Sequence, residues 1–345
     1  MNARMPLQEH HSEKLIEVTR GPLTESVHAG HLAVVDTAGT LIASAGSPGY
    51  YTYARSAAKL LQAIPLIESG GAERLGLTEA ETALCCASHG GEPRHTETAR
   101  SLLAKAGCDE SALCCGPQEP MFAPAADMLK AGGQPATALH NNCSGKHAGM
   151  LALAQIMGVS IHQYTDPGHP VQQKMLAAVA DMCGVPQSGI TLGIDGCGVP
   201  VFGMPISALA LAYARLGTPA GLPEQRAEAC RRIVDSIRHQ PYYVAGTARF
   251  DTALVEATGG RIIGKFGAEG VYAASIPELG LGLALKIEDG AERAIYPAAA
   301  EALLQLGALR PEEAEKLAAF RRPPVYNRRG DTVGEIRPVF TLIRH

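Results

Sequence analysis

A chain of 345 residues, 46% hydrophobic and 19% charged, is long and apolar enough to bury a core of one large or two modest domains, which excludes a disordered or low-complexity protein. Its formal charge of −4, with no block of like charge, leaves no basic footprint and speaks against a nucleic-acid partner. The opening MNARMPLQEHHSEKLIEVTRG carries charges throughout and no secretory h-region, and apolar stretches such as MLALAQIMGV from Met150 are about half the length that spans a bilayer, so no membrane association is expected.

In chain order, HLAVVDTAGTLIASAG (31–46) predicts two strands around a turn at Asp36–Gly39. SAAKLLQAIPLIESGG predicts a helix that stops at paired glycines. EPRHTETARSLLAKAG predicts a second, with Pro93 in its first turn and Gly107 just past its end. LPEQRAEACRRIVDSIRHQ and AERAIYPAAAEALLQLG predict two more, the last kinked or split by Pro297. RIIGKFG (261–267), LGLALKIEDG (281–290) and GDTVGEIRPVF (330–340) predict further strands. Strands segregated to the two chain ends around a helical middle argue for an α+β fold, an antiparallel sheet built from both ends with a helical insertion. The expected organisation is a single catalytic unit with two lobes, a sheet lobe from 1–50 plus 260–345 and a mainly helical lobe from 51–259. Nine cysteines, an odd number that includes the adjacent pairs Cys85–Cys86 and Cys114–Cys115, read as reduced thiols packed in the interior of a cytoplasmic protein.

Several stretches carry reactive side chains. HNNCSGKHAGML (140–151) is not a Walker A loop, because His140 stands where the first glycine belongs and His147 follows the lysine. GxGxxG, HExxH and GxSxG are absent. Ser56 and Lys59 stand at i and i+3 of a predicted helix, so hydroxyl and amine share a face; a lysine of lowered pKa can take a serine proton, and first-turn N–H groups can face a developing oxyanion. The spacing alone is weak. Lys265, in the predicted strand GKFG, departs from the apolar pattern and precedes a glycine that permits close approach; its plain alternative is an edge-strand charge that discourages aggregation. With Ser-x-x-Lys it resembles the penicillin-recognising serine enzymes, in which two lysine motifs line one cleft. Ser88, in ASHGGE, ends an apolar run just before a helix; its plain alternative is a hydrogen-bonded loop residue, as for His89. Cys143, at the cap of a helix starting near Ser144 and close to Lys146, is placed to be a thiolate, and Cys197 lies in the glycine-rich DGCG. Two such thiols can meet at Zn²⁺ or remain buried and inert, and spacing alone leaves both open.

Together, RSAAK, ASHGGEPRH, NNCSGKHAGM, DGCGVP and GKFGAEGVY resemble the Rhizobium etli-type L-asparaginases, the asparaginase II or class 3 family, in the family's order from residue 55 to 272. The resemblance implies a serine β-lactamase/glutaminase-like fold and hydrolysis of L-asparagine to L-aspartate and ammonia. It implies two Ser–Lys pairs, Ser56–Lys59 and Ser88–Lys265, with Ser56 as nucleophile and Lys59 as base. It further implies Zn²⁺ on Cys143, Lys146 and Cys197, with Lys146 as a neutral amine. Arg55, His147 and Asp195 adjoin these residues and are candidates for the substrate's α-carboxylate and α-amine. Two alternatives stand beside this reading: a glutaminase or β-lactam-directed hydrolase of the same fold, and a non-catalytic module with a structural zinc. A homodimer is the base-rate expectation.

Overall fold

The computed structural model describes residues 10–345; residues 1–9, where the charged opening stretch and the 1–50 segment begin, lie outside the described residues. Twelve strands form among the described residues: β1 (Glu13–Arg20), β2 (Leu23–Asp36), β3 (Leu41–Ala45), β4 (Tyr51–Tyr53), β5 (Thr191–Ile194), β6 (Pro200–Pro205), β7 (Ile263–Gly267), β8 (Val271–Ile276), β9 (Leu281–Ile287), β10 (Pro324–Tyr326), β11 (Thr332–Pro338) and β12 (Ile343–Arg344). Nine build one antiparallel sheet, β10-β11-β1-β2-β9-β8-β7, with β3 and β12 branching from β2. The α+β architecture is thus the one expected, with the early strands pairing to the late ones: Leu32 of β2 lies opposite Leu285 of β9.

Alternation along the central strands sorts their side chains to two faces. Leu32 and Val34 join Tyr272, Ala274, Leu283 and Leu285 on one face, covered by the helix Glu292–Gln305. Ala33, Val35, Ala273 and Ala284 occupy the other, where the helix Ile206–Gly217 lies across β2, β8 and β9. Small residues on this second face let the helix sit close. The helix Glu292–Gln305 is neither split nor ended by Pro297: Ala294, Ile295, Ala298 and Leu303 are buried against the sheet, and that packing outweighs the one backbone hydrogen bond a proline removes.

The second small sheet, β4-β6-β5, was not anticipated. It joins a three-residue strand to a hairpin well over a hundred residues later, and it carries Arg55 and Asp195 just beyond its strand ends. Behind it, the helices Lys59–Glu68, Glu79–Cys85, Pro93–Lys105, Ser144–Met157, Pro170–Cys183 and Glu224–His239 make one apolar cluster. The helix Ser144–Met157 is buried all round from Ser144 to Ala154, as its nearly uninterrupted apolar sequence requires. All nine cysteines are free thiols; Cys85, Cys86 and Cys115 are buried, but Cys114 is exposed, against expectation, because its backbone N–H turns in to Tyr164 Oη (2.9 Å) and its side chain turns out. Among the described residues no helix is long and apolar enough to cross a membrane.

Candidate active site

Three close approaches bring the reactive residues together. Gly145 lies against Leu84, where a Cβ would overlap the Leu84 carbonyl, so the helices Glu79–Cys85 and Ser144–Met157 touch backbone to side. This fixes Ser88, which follows the first helix, beside Cys143, which caps the second. At Gly267 a Cβ would stand 3.0 Å from Ala54 O and 3.2 Å from Ala57 N, so the end of β7 rests on the turn Arg55–Ala58 that leads into the helix Lys59–Glu68. The third approach is by hydrogen bond: Ser88 N donates to Val244 O (2.9 Å), holding Ser88 under the segment that leads to β7.

At the centre is a serine between two amines. Ser88 Oγ lies 2.9 Å from Lys59 Nζ and 2.9 Å from Lys265 Nζ. Lys59 also reaches Ala87 O (2.6 Å) and Cys143 Sγ (3.2 Å), and Lys265 reaches Phe266 O (2.8 Å). Ser88 and both lysines are buried. Burial pushes Lys265 down to about 7, with the charges of Lys59 and Arg249 acting in the same direction and Asp251 against it. At neutral pH a large share of Lys265 is therefore a free amine. Although β7 is an edge strand, its lysine faces inward, so the anti-aggregation role does not apply.

The Ser56–Lys59 pair is brought to the same place without a bond between the side chains. All three donors of Lys59 are taken by Ala87, Ser88 and Cys143, and none reaches Ser56 Oγ. Ser56 is half-buried, the more open of the two serines. Next to it Arg55 adopts φ +48°, a left-handed conformation unusual for arginine, and its guanidinium grips Asp195 with Nε at 3.0 Å and a terminal nitrogen at 2.9 Å. Burial works to raise Asp195, but Lys146, Arg55 and the Gly196 N–H outweigh it and hold the carboxyl below its ordinary value. On its far side Arg55 faces Glu269 at 3.8 Å, at the tip of the β7–β8 hairpin.

Cys143, Lys146 and Cys197 converge beneath this pair. Lys146 Nζ lies 3.0 Å from Cys197 Sγ, and Cys143 Sγ donates to Asn142 Oδ1 (3.0 Å). The neighbouring Cys197 thiol, with the charges of Lys59 and Lys146, draws Cys143 below its ordinary value against burial, while Cys143 and burial raise Cys197. Burial works to lower Lys146, but the charges of Cys143, Cys197 and Asp195 raise it overall. Among the described residues no group of three or more His, Cys, Asp or Glu side chains is arranged to hold a metal ion. The donors that do converge, two sulfurs and one amine, suit a soft or borderline cation once the amine gives up its proton.

His147 is placed differently from the other candidates. It is fully buried, its Nδ1 lies 2.6 Å from Tyr164 Oη, and among the described residues its Nε2 has no partner. Burial drives its pKa well below the usual histidine value, so it is a neutral ring. His89 is a hydrogen-bonded loop residue, with Nε2 2.9 Å from Ser144 Oγ and Nδ1 accepting from Gly91 N (3.1 Å). Two acidic residues of the site had no signal in the sequence. Asp251 lies 3.8 Å from Lys265, yet in FDTALVEA it looks like an ordinary first-turn acid. Glu92 accepts from Thr247 N (2.9 Å) and Thr247 Oγ1 (2.7 Å), anchoring the loop in which Ala248 adopts φ +59°.

The class is that of an α+β enzyme with a buried lysine–serine–lysine centre. Residues 16–338 match the L-asparaginase II family, and the chain belongs to that family: it is an amidohydrolase acting on asparagine. No curated protein matches the sequence. Among solved structures, the chain is similar to a β-lactamase from Mycobacterium bovis (17% identity, 81% of this chain and 95% of that one, TM-score 0.41). It is also similar to a D-alanine carboxypeptidase from Burkholderia cenocepacia (13%, 81% and 93%, 0.39) and to an octameric penicillin-binding protein homologue from Pyrococcus abyssi (16%, 81% and 73%, 0.32).

Proposed function

We propose that the chain hydrolyses L-asparagine through an acyl-enzyme on Ser56, with Lys59, Ser88 and Lys265 forming a proton relay. The observation that carries this reading is Ser88 Oγ held at 2.9 Å by both lysine amines. A neutral Lys265 accepts the Ser88 proton while Ser88 takes one from Lys59. Lys59, now neutral and one helical turn from Ser56, accepts the Ser56 proton as Oγ attacks the side-chain amide carbon. Collapse of the tetrahedral intermediate breaks the C–N bond, returns the proton to the leaving nitrogen as ammonia and leaves an aspartyl ester on Ser56. Water then repeats the sequence to release L-aspartate. Arg55 suits the α-carboxylate and Asp195 the α-ammonium, because Arg55 precedes Ser56, Asp195 pairs with Arg55, and the two carry opposite charge. His147, sealed against Tyr164, acts behind Lys146 rather than on substrate.

Zn²⁺ belongs to the same reading, with Cys143, Cys197 and a deprotonated Lys146 as its protein ligands; the donor set fits it, and bound there it would supply a fixed positive charge beside the Arg55–Asp195 pair.

The test is ammonia release from L-asparagine and L-glutamine by the wild type, Ser56→Ala and Ser88→Ala. The expected result is loss of turnover by at least about 10³-fold for Ser56→Ala, with an aspartyl adduct on Ser56 in quenched wild-type enzyme. Full activity in Ser56→Ala would remove it as nucleophile and pass the role to Ser88. Comparable release from both amides would widen the substrate class, since one methylene is worth only about 1–3 kcal/mol of discrimination.

A further inference from the structure

Asp251 is 2% exposed, on the helix Phe250–Ala257 behind β7. A carboxylate this deep is expected to be fully hydrogen-bonded or paired. Its two oxygens are unequally served: Oδ2 accepts from Phe266 N (2.9 Å), while among the described residues no donor meets Oδ1 in strict hydrogen-bonding geometry. The Tyr272 hydroxyl stands against this carboxylate; burial, then the Asp251 charge and contact with it, holds Tyr272 well above its ordinary value, so it stays a neutral phenol. The cation paired with Asp251 is Lys265, with Nζ 3.8 Å from Oδ2. The same oxygen grips the backbone of Phe266, the residue next to Lys265, whose carbonyl accepts from the Lys265 amine at 2.8 Å.

From this geometry we propose that Asp251 is a positioning residue for the hydrolysis. It fixes the Lys265 amine against Ser88 by holding the β7 backbone, and it supplies the buried counter-charge that sets when that amine gains its proton. The proposal rests on the relay described above. Four groups influence the Lys265 charge: Asp251 from its own helix, Arg249 just before that helix, Lys59 from the helix Lys59–Glu68, and Cys143 from the cap of Ser144–Met157. Arg249 and Lys59 disfavour the protonated amine, and Asp251 is the largest influence favouring it. A merely structural Asp251 would affect stability and leave the protonation of Lys265 alone.

The experiment is the pH profile of kcat/KM for L-asparagine in the wild type, Asp251→Asn and Lys265→Arg. Asparagine keeps an acceptor for Phe266 N and removes the charge, so the acid limb is expected to move to lower pH by about 1–3 units, the usual effect of one opposite charge at this separation. An acid limb unmoved in Asp251→Asn while Lys265→Arg is inactive overturns the proposal and leaves the relay standing. Activity retained by Lys265→Arg, whose guanidinium cannot act as a base, removes the relay and the proposal with it. If Asp251→Asn does not fold, Asp251→Ser, which also offers an acceptor without charge, is read by the same criterion: a lowered limb supports the proposal and an unmoved one overturns it.

Discussion

In the proposed relay, a hydroxyl held between two lysine amines conducts protons only while one amine is free, so the protonation of Lys265 would govern turnover. With its pKa pushed down to about 7 by burial, the neutral form that the relay needs grows as pH rises through neutrality. The expected profile is a kcat/KM that falls by about tenfold per unit below the midpoint and levels off above it. A pH–rate series on the wild type reads this directly, and a flat acid side down to pH 5 would take Lys265 out of the relay. The sulfur residues make a second, separable statement. Cys143→Ala removes one sulfur of the pair and should lower bound zinc, measured by elemental analysis after dialysis, from about one equivalent to well below half. Unchanged zinc in that variant would place the metal, or its absence, elsewhere.

At the scale of elements, the contact of two helices at Gly145 decides where Ser88 and Cys143 lie. The Leu84 carbonyl is backbone and cannot rotate away, so Gly145→Ala must part the helices. The expected cost is about 1–3 kcal/mol in urea unfolding, with kcat falling more steeply than stability explains, because Ser88 moves relative to Lys265. A variant with wild-type stability and turnover would show that the helices adjust without moving the serine. Elements with a clear period were legible in the sequence. The apolar runs in HLAVVD and around Lys265 both formed strands, and Pro93 opens the helix Pro93–Lys105. Less legible were elements defined by partners. The strand Tyr51–Tyr53 has too few residues to show a period and exists because β6 pairs with it. That Pro297 does not split its helix could not be read locally, because the sheet beneath the helix is invisible from local sequence.

For the whole molecule, the legibility of the site follows the same rule. Residue types unusual for their setting, such as a lysine in an apolar strand or a thiol at a helix cap, marked Lys265 and Cys143. Pairing was harder: the i, i+3 spacing ties Lys59 to Ser56, whereas in three dimensions the chain offers it Ala87, Ser88 and Cys143 as acceptors. Asp251 and Glu92 were silent because an acid near a helix start is normally a solvated cap, and only the fold reveals that these two are enclosed.

The order in which a ribosome delivers these parts matters as well. Lys59, Ser88, Cys143 and Cys197 all emerge before residue 200, but Lys265, the second amine at Ser88, is 177 residues downstream of that serine. At about 5–20 residues per second, that interval is about 10–35 s. Throughout it β2 also lacks β9, the neighbour it pairs with along Gly30–Asp36. A nascent chain therefore carries Ser56 and Ser88 early, and the lysine–serine–lysine centre is complete only once β7 has been made and the sheet closes through β8 and β9.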